Sequence, residues 1–92
     1  MAETFASVWD AIIDDPVEVE SIKIKSKIMM TIERHIKEQG MTQQQAAEKM
    51  GVKQPRVSDL VRGKIDRFTI DMLVNMLFAL GLKLEINFEK AA

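Results

Sequence analysis

The stretch Thr42–Gly63, TQQQAAEKMGVKQPRVSDLVRG, is the part of the chain from which the fold is read. Thr42 is placed to accept from a backbone N–H one turn on and Gln45 to reach back to it, a capping box of the T-x-x-Q type, so a helix opens at Thr42. Ala46 and Ala47 are small where a second helix must cross closely. Met50 ends the apolar stripe, and Gly51 supplies a left-handed exit at no steric cost. After apolar Val52, Lys53 stands at the entry of the next helix. Gln54 and Pro55 fill its first turn, where a missing N–H is harmless, and Gly63 closes it after about nine residues.

On this second helix Val57 and Leu60, flanked by Val61, form the inward stripe, which leaves Gln54, Pro55, Arg56, Ser58, Asp59 and Arg62 toward the outside. Those outward groups suit the edges of bases. The Gln54 amide matches an adenine edge, Arg56 a guanine edge or a phosphate, Ser58 either edge, and Asp59 a cytosine amino group. A carboxylate close to phosphates is otherwise costly, so Asp59 is expected to pair with Arg56 or Arg62. A generic helical hairpin with a solvated polar face would account for the apolar positions equally well. It would not account for small alanines, a turn glycine and an exposed face lacking glutamate together.

With its flanking helices, from roughly Lys23 to Leu82, the words MTQQQAAEKMGVKQPRVSDLVRG and a further helix ending in ALG resemble the lambda-repressor-like, Cro/C1 (Xre) family of regulators. The resemblance implies a mainly α, lambda-repressor-like helix-turn-helix bundle. It also carries Gln43 to a phosphate or base-proximal role, Gln54 and Pro55 to the leading positions of the recognition helix, and Arg62 and Lys64 to the DNA backbone. Pro55 departs from the family pattern, because many relatives have a polar side chain there. Unable to donate, it is limited to apolar contact such as a thymine methyl. Short proteins of this kind with an N-terminal extension and a C-terminal strand resemble the antitoxin halves of toxin–antitoxin pairs, which implies a cognate toxin as a further partner.

Ninety-two residues with 47% hydrophobic content make one domain with a modest core, marginal enough that dimerisation helps. No cysteine and a single histidine exclude a zinc finger, an iron–sulfur cluster and a thiol nucleophile, and agree with a reducing cytoplasm. No metal or other cofactor is expected, and no apolar run or signal-peptide pattern suggests a membrane. The net charge of −1 hides a segregation: residues 1–20 hold six acids and no Lys or Arg, which leaves thirteen bases against eight acids, +5, for residues 21–92. Lys53, Arg56, Arg62, Lys64 and Arg67 cluster on the recognition helix and the loop after it, against Asp59 and Asp66. Aromatic content of 5% leaves no stacking platform for single strands or RNA, so duplex DNA is the better partner.

The rest of the chain supports one domain over 1–92: an N-terminal extension (1–15), the helix-turn-helix (42–63) and a terminal strand (82–89). Phe5, Val8, Trp9, Ile12 and Ile13 follow helical spacing, with Trp9 as a core or dimer anchor. Asp15-Pro16-Val17-Glu18 then opens a longer helix to about Gln39, whose apolar arc, Val19, Ile22, Ile24, Ile28, Met29, Ile32 and Ile36, is too wide for one core contact. His35, alone on it, reads as a rim residue. Phe68 and Thr69 look like a hydrophobic staple with Leu73 ahead of a last helix, and Met72, Met76, Leu77 and Leu80 continue its stripe to Gly81. The seven methionines read as core filling.

From Leu82 the period changes, Leu82, Leu84, Ile86 and Phe88 alternating with Lys83, Glu85, Asn87 and Glu89, which predicts a half-buried β-strand with no partner elsewhere in the chain. Pairing with a second copy, or strand addition by another protein, would satisfy it, which puts Leu84, Ile86 and Phe88 at an interface. The expectation is a homodimeric repressor reading an inverted-repeat operator. Gln54, Pro55, Arg56, Ser58 and Asp59 would face bases; Gln43, Lys53, Arg62, Lys64 and Arg67 would fix phosphates. The rival is a protein-interaction module that neutralises a partner toxin. An enzyme is the poorest reading, because no nucleophile-and-base pair or phosphate-cradling glycine loop can be assembled.

Overall fold

Asp15 begins the part of the chain that this computed structural model describes, residues 15–91. Its carboxylate accepts from the Val17 N–H at 3.0 Å and Pro16 occupies the first turn, opening α1 (Pro16–Glu38) as the Asp15-Pro16 pair predicts, with Glu18 in the first turn making no cap bond. The fully buried residues of α1 lie in its C-terminal half, with Ile22 packed against the core ahead of them. Ile28, Met29, Ile32 and Ile36 are buried, whereas Val17 is 77% and Ile24 45% exposed. The arc is therefore wider than the contact, as its sequence indicates. The helically spaced segment Phe5–Ile13, with the expected anchor Trp9, lies outside the described residues.

Three further helices complete the bundle: α2 (Gln43–Met50), α3 (Gln54–Val61) and, after a 3-10 turn at Ile65–Arg67, α4 (Ile70–Ala79). The α2 capping box is formed in both directions: the Gln45 N–H donates to Thr42 Oγ1 at 3.1 Å, and the Thr42 N–H donates to Gln45 Oε1 at 2.9 Å. The four helices among the described residues close alike. The N–H just past each glycine reaches back five residues, Met41 to Ile36, Val52 to Ala47, Lys64 to Asp59 and Leu82 to Leu77, the long bond of a Schellman motif. Gly51, with φ of 69°, makes the abrupt turn from α2 into α3.

Ala46 and Ala47, 0% and 2% exposed, let α3 cross α2 at close range, and Val57 and Leu60 drive the inner face of α3 into the same core. Burying each of those two α3 side chains is worth about 1.5–3 kcal/mol. Phe68 and Leu73, both almost fully buried, flank the Thr69 cap that accepts from the Met72 N–H, so the expected staple is in place and α4 packs back along α1.

The C-terminal strand is the principal correction. Residues 82–91 form no strand, and no backbone hydrogen bond among the described residues involves 83–91. The alternation is real, but a strand is stabilised only by a neighbour, and the described residues of a single copy offer none. Leu84, Ile86 and Phe88 are accordingly 38%, 62% and 92% exposed.

Candidate nucleic-acid interface

Helix α3 shows why its polar residues do not share one role. At about 100° per residue, Val57 and Leu60 point inward, Pro55, Ser58, Asp59 and Arg62 point away from the core, and Gln54 and Arg56 fall on opposite flanks. The Gln54 flank meets α2. The Arg56 flank meets the loop after α3.

On the first flank, Gln54 Nε2 donates to Gln43 Oε1 at 2.6 Å, both side chains being half-buried. Each is the first residue of its helix, so the bond ties the leading edge of α3 to the leading edge of α2. It also leaves chemistry spare. Gln54 retains its oxygen and a second N–H, the acceptor–donor pair that an adenine edge needs, and Gln43 retains its NH2 for a phosphate. The N-terminus of α2, where Gln43 and Gln44 donate no backbone bond, is a natural anion site beside it.

On the second flank, Arg56 is turned toward the loop. Its Nη1 donates to the Arg67 carbonyl at 2.9 Å, and its guanidinium lies over the Phe68 ring, 5.5 Å from the centroid. Arg56 thus braces α3 against the 3-10 turn. Asp59 is paired, as expected, but with other partners than Arg56 or Arg62. Lys64 Nζ stands 3.8 Å and Arg67 Nη1 3.4 Å from its carboxylate. The reason is tertiary: the chain turns back at Gly63, and the Lys64 N–H donates to the Asp59 carbonyl at 3.0 Å, which brings both cations alongside.

The remaining candidates are open to solvent. Lys53 caps α3 without a side-chain bond and is exposed, as are Pro55 and Arg62. Ser58 is half-buried on the outward line. Lys53, Pro55, Arg56, Asp59 and Arg67 border one open depression with Val52 and Met72, which brings three of the five bases read from the sequence, Lys53, Arg56 and Arg67, to one surface.

Two helices joined by a glycine turn, the second presenting its N-terminal side chains outward, are matched over residues 12–89 by a family model described as a helix-turn-helix domain. The chain belongs to the helix-turn-helix domain family. Comparison with curated proteins gives no match. In a helix-turn-helix domain the second helix of the motif, here α3, enters the major groove with its N-terminal residues toward base edges while the first crosses the backbone. Among the described residues no helix is long and apolar enough to cross a membrane.

Sequence reasoning named Gln43 and Gln54 but not their bond. The available signal was that both open a helix of the same motif, where two side chains meet across the turn. The Arg56–Phe68 stack had no such signal, since Phe68 reads fully as a staple residue.

Proposed function

We propose that this chain is a cytoplasmic, homodimeric repressor that binds double-stranded DNA sequence-specifically at an inverted repeat. The observation that carries the reading is the Gln43–Gln54 bond at the leading edge of α3, which holds one amide still while leaving its base-reading pair of atoms unused. Gln54 and Ser58 read base edges, Pro55 supplies apolar contact, and Gln43, Lys53 and Arg62 fix phosphates, with Lys64 and Arg67 joining them from the loop. Arg56 and Asp59 shape the surface through their contacts with the loop after α3. Two copies related by a two-fold axis would place their recognition helices about 34 Å apart, one turn of duplex.

Selection of sites from a random duplex library tests this reading, with an enriched inverted repeat as the expected result. Gln54→Ala changes the preferred site at one position of each half-site, whereas Lys64→Ala weakens all sites and lowers the salt slope by about one unit. Equal losses by both variants on selected and random duplexes would overturn the division of roles. The exposed apolar residues of the C-terminal segment favour one second reading, an antitoxin whose segment adds to the sheet of a partner toxin. A library that enriches nothing, together with a stable complex on co-expression with a small basic neighbour, would favour that reading.

A further inference from the structure

The segment after α4 leaves the bundle in a fixed direction. Gly81, at φ of 83°, turns the chain, the Leu82 N–H donates to the Leu77 carbonyl at 3.1 Å, and Leu82 packs against the core. Beyond it lies an alternating face with Leu84, Ile86 and Phe88 on one side, their backbone groups open among the described residues. We infer that this segment pairs antiparallel with the same segment of a second copy, with the two-fold axis passing through Ile86. This pairing rests on the homodimeric reading above and specifies its register.

Side chain against side chain, the alternatives separate cleanly. An axis between residues would set apolar positions opposite polar ones and turn the apolar face over. An axis at Glu85 sets that carboxylate against itself, and an axis at Asn87 sets Glu85 against Glu89, both like-charge pairs that destabilise a ladder. An axis at Leu84 pairs Lys83 with Glu85 but sets Phe88 opposite Leu80, buried at the end of α4, so that its ribbon stops at Ile86 and leaves Phe88 uncovered; an axis at Phe88 sets Ile86 opposite Lys90. At Ile86 every position agrees. Lys83 lies opposite Glu89 twice by symmetry, Glu85 opposite Asn87, Leu84 opposite Phe88, and Ile86 opposite itself. A two-stranded ribbon needs a floor for its apolar face, and Phe78, 74% exposed on the helix that leads into the segment, is a further uncovered apolar group.

The chain has no cysteine, so introduced thiols report register directly. Residues directly opposite have Cα atoms about 4.5–5.5 Å apart, inside the roughly 4.4–6.8 Å range a disulfide spans. Ile86→Cys in the full chain should cross-link to itself under mild oxidation. Leu84→Cys alone should not, its copies being about 13 Å apart along the ribbon, but mixed with Phe88→Cys it should form the heterodimer. Lys83→Glu and Glu89→Lys should each weaken the dimer about tenfold or more in sedimentation, and the double exchange should restore it to within about threefold. Self-linking of Leu84→Cys in preference to Ile86→Cys would overturn the register. Absence of any cross-link from a chain that sediments as a monomer would overturn self-pairing and leave the segment to a different protein. The duplex library keeps the two proposals apart: an enriched half-site without cross-linking sinks the pairing alone, and cross-linking without enrichment sinks the DNA reading alone.

Discussion

Between Thr42 and Phe68 many polar side chains of the surface are held: those of Thr42 and Gln45 by each other's backbone N–H, Gln54 by Gln43, Arg56 by the loop carbonyl of Arg67, Asp59 by Lys64 and Arg67. Between Lys83 and Ala91 no backbone group among the described residues has a partner, and the apolar side chains stand in solvent. The first region meets a ligand already shaped. The second acquires a shape only from what joins it. That difference is energetic: the motif is built on side chains driven into a core, whereas the terminal segment has only its anchor at Leu82.

The comparison breaks most easily at its two phenylalanines. Phe68→Ala removes a side chain only 1% exposed, together with the floor beneath Arg56, and should cost about 3–5 kcal/mol of stability in denaturant unfolding. Phe88→Ala, at a side chain 92% exposed, should change monomer stability by no more than about 0.5 kcal/mol at concentrations where the chain is monomeric. Equal losses would mean that the terminal segment belongs to the core after all.

Next in size is the turn. Gly51→Ala places a Cβ in open space, so its only cost is the left-handed backbone at φ of 69°, about 1–2 kcal/mol by thermal or denaturant unfolding. A loss well above that would show that the α2–α3 turn supports more than its own geometry.

Below the turn in expected effect on stability comes Asp59. Asp59→Asn removes two ion pairs at 3.4 and 3.8 Å whose cations are 53% and 37% exposed, so stability should change by no more than about 1 kcal/mol. Binding to random duplex should strengthen, because the carboxylate that competes with phosphates for Lys64 and Arg67 is gone. An unchanged affinity would place Lys64 and Arg67 off the DNA.

Much of the bundle was legible in local sequence because its signals are local. Asp15-Pro16, the Thr42/Gln45 box, Gly51 and the Phe68/Thr69 staple each act within one turn of chain, and each appears where its residues place it. The alternation from Leu82 was equally legible, yet it specifies which side faces which way and not whether a neighbour exists, and in one copy it forms no strand. For the candidate site, residue types and the outward face were readable, but the partners of Arg56 and Asp59 were misplaced, since both depend on how the chain folds back after Gly63.

The amino-acid sequence alone determined where helices begin and end, which face of α3 is apolar, and that bases gather along that helix and the following loop, because capping, periodicity and charge are properties of neighbours in the chain. Tertiary structure decided that Gln43 holds Gln54, that Arg56 is drawn back over Phe68, and that Asp59 takes Arg67 and Lys64. Those pairings join side chains brought together by packing and chain reversal, and spacing along a helix carries no information about contacts made across a turn.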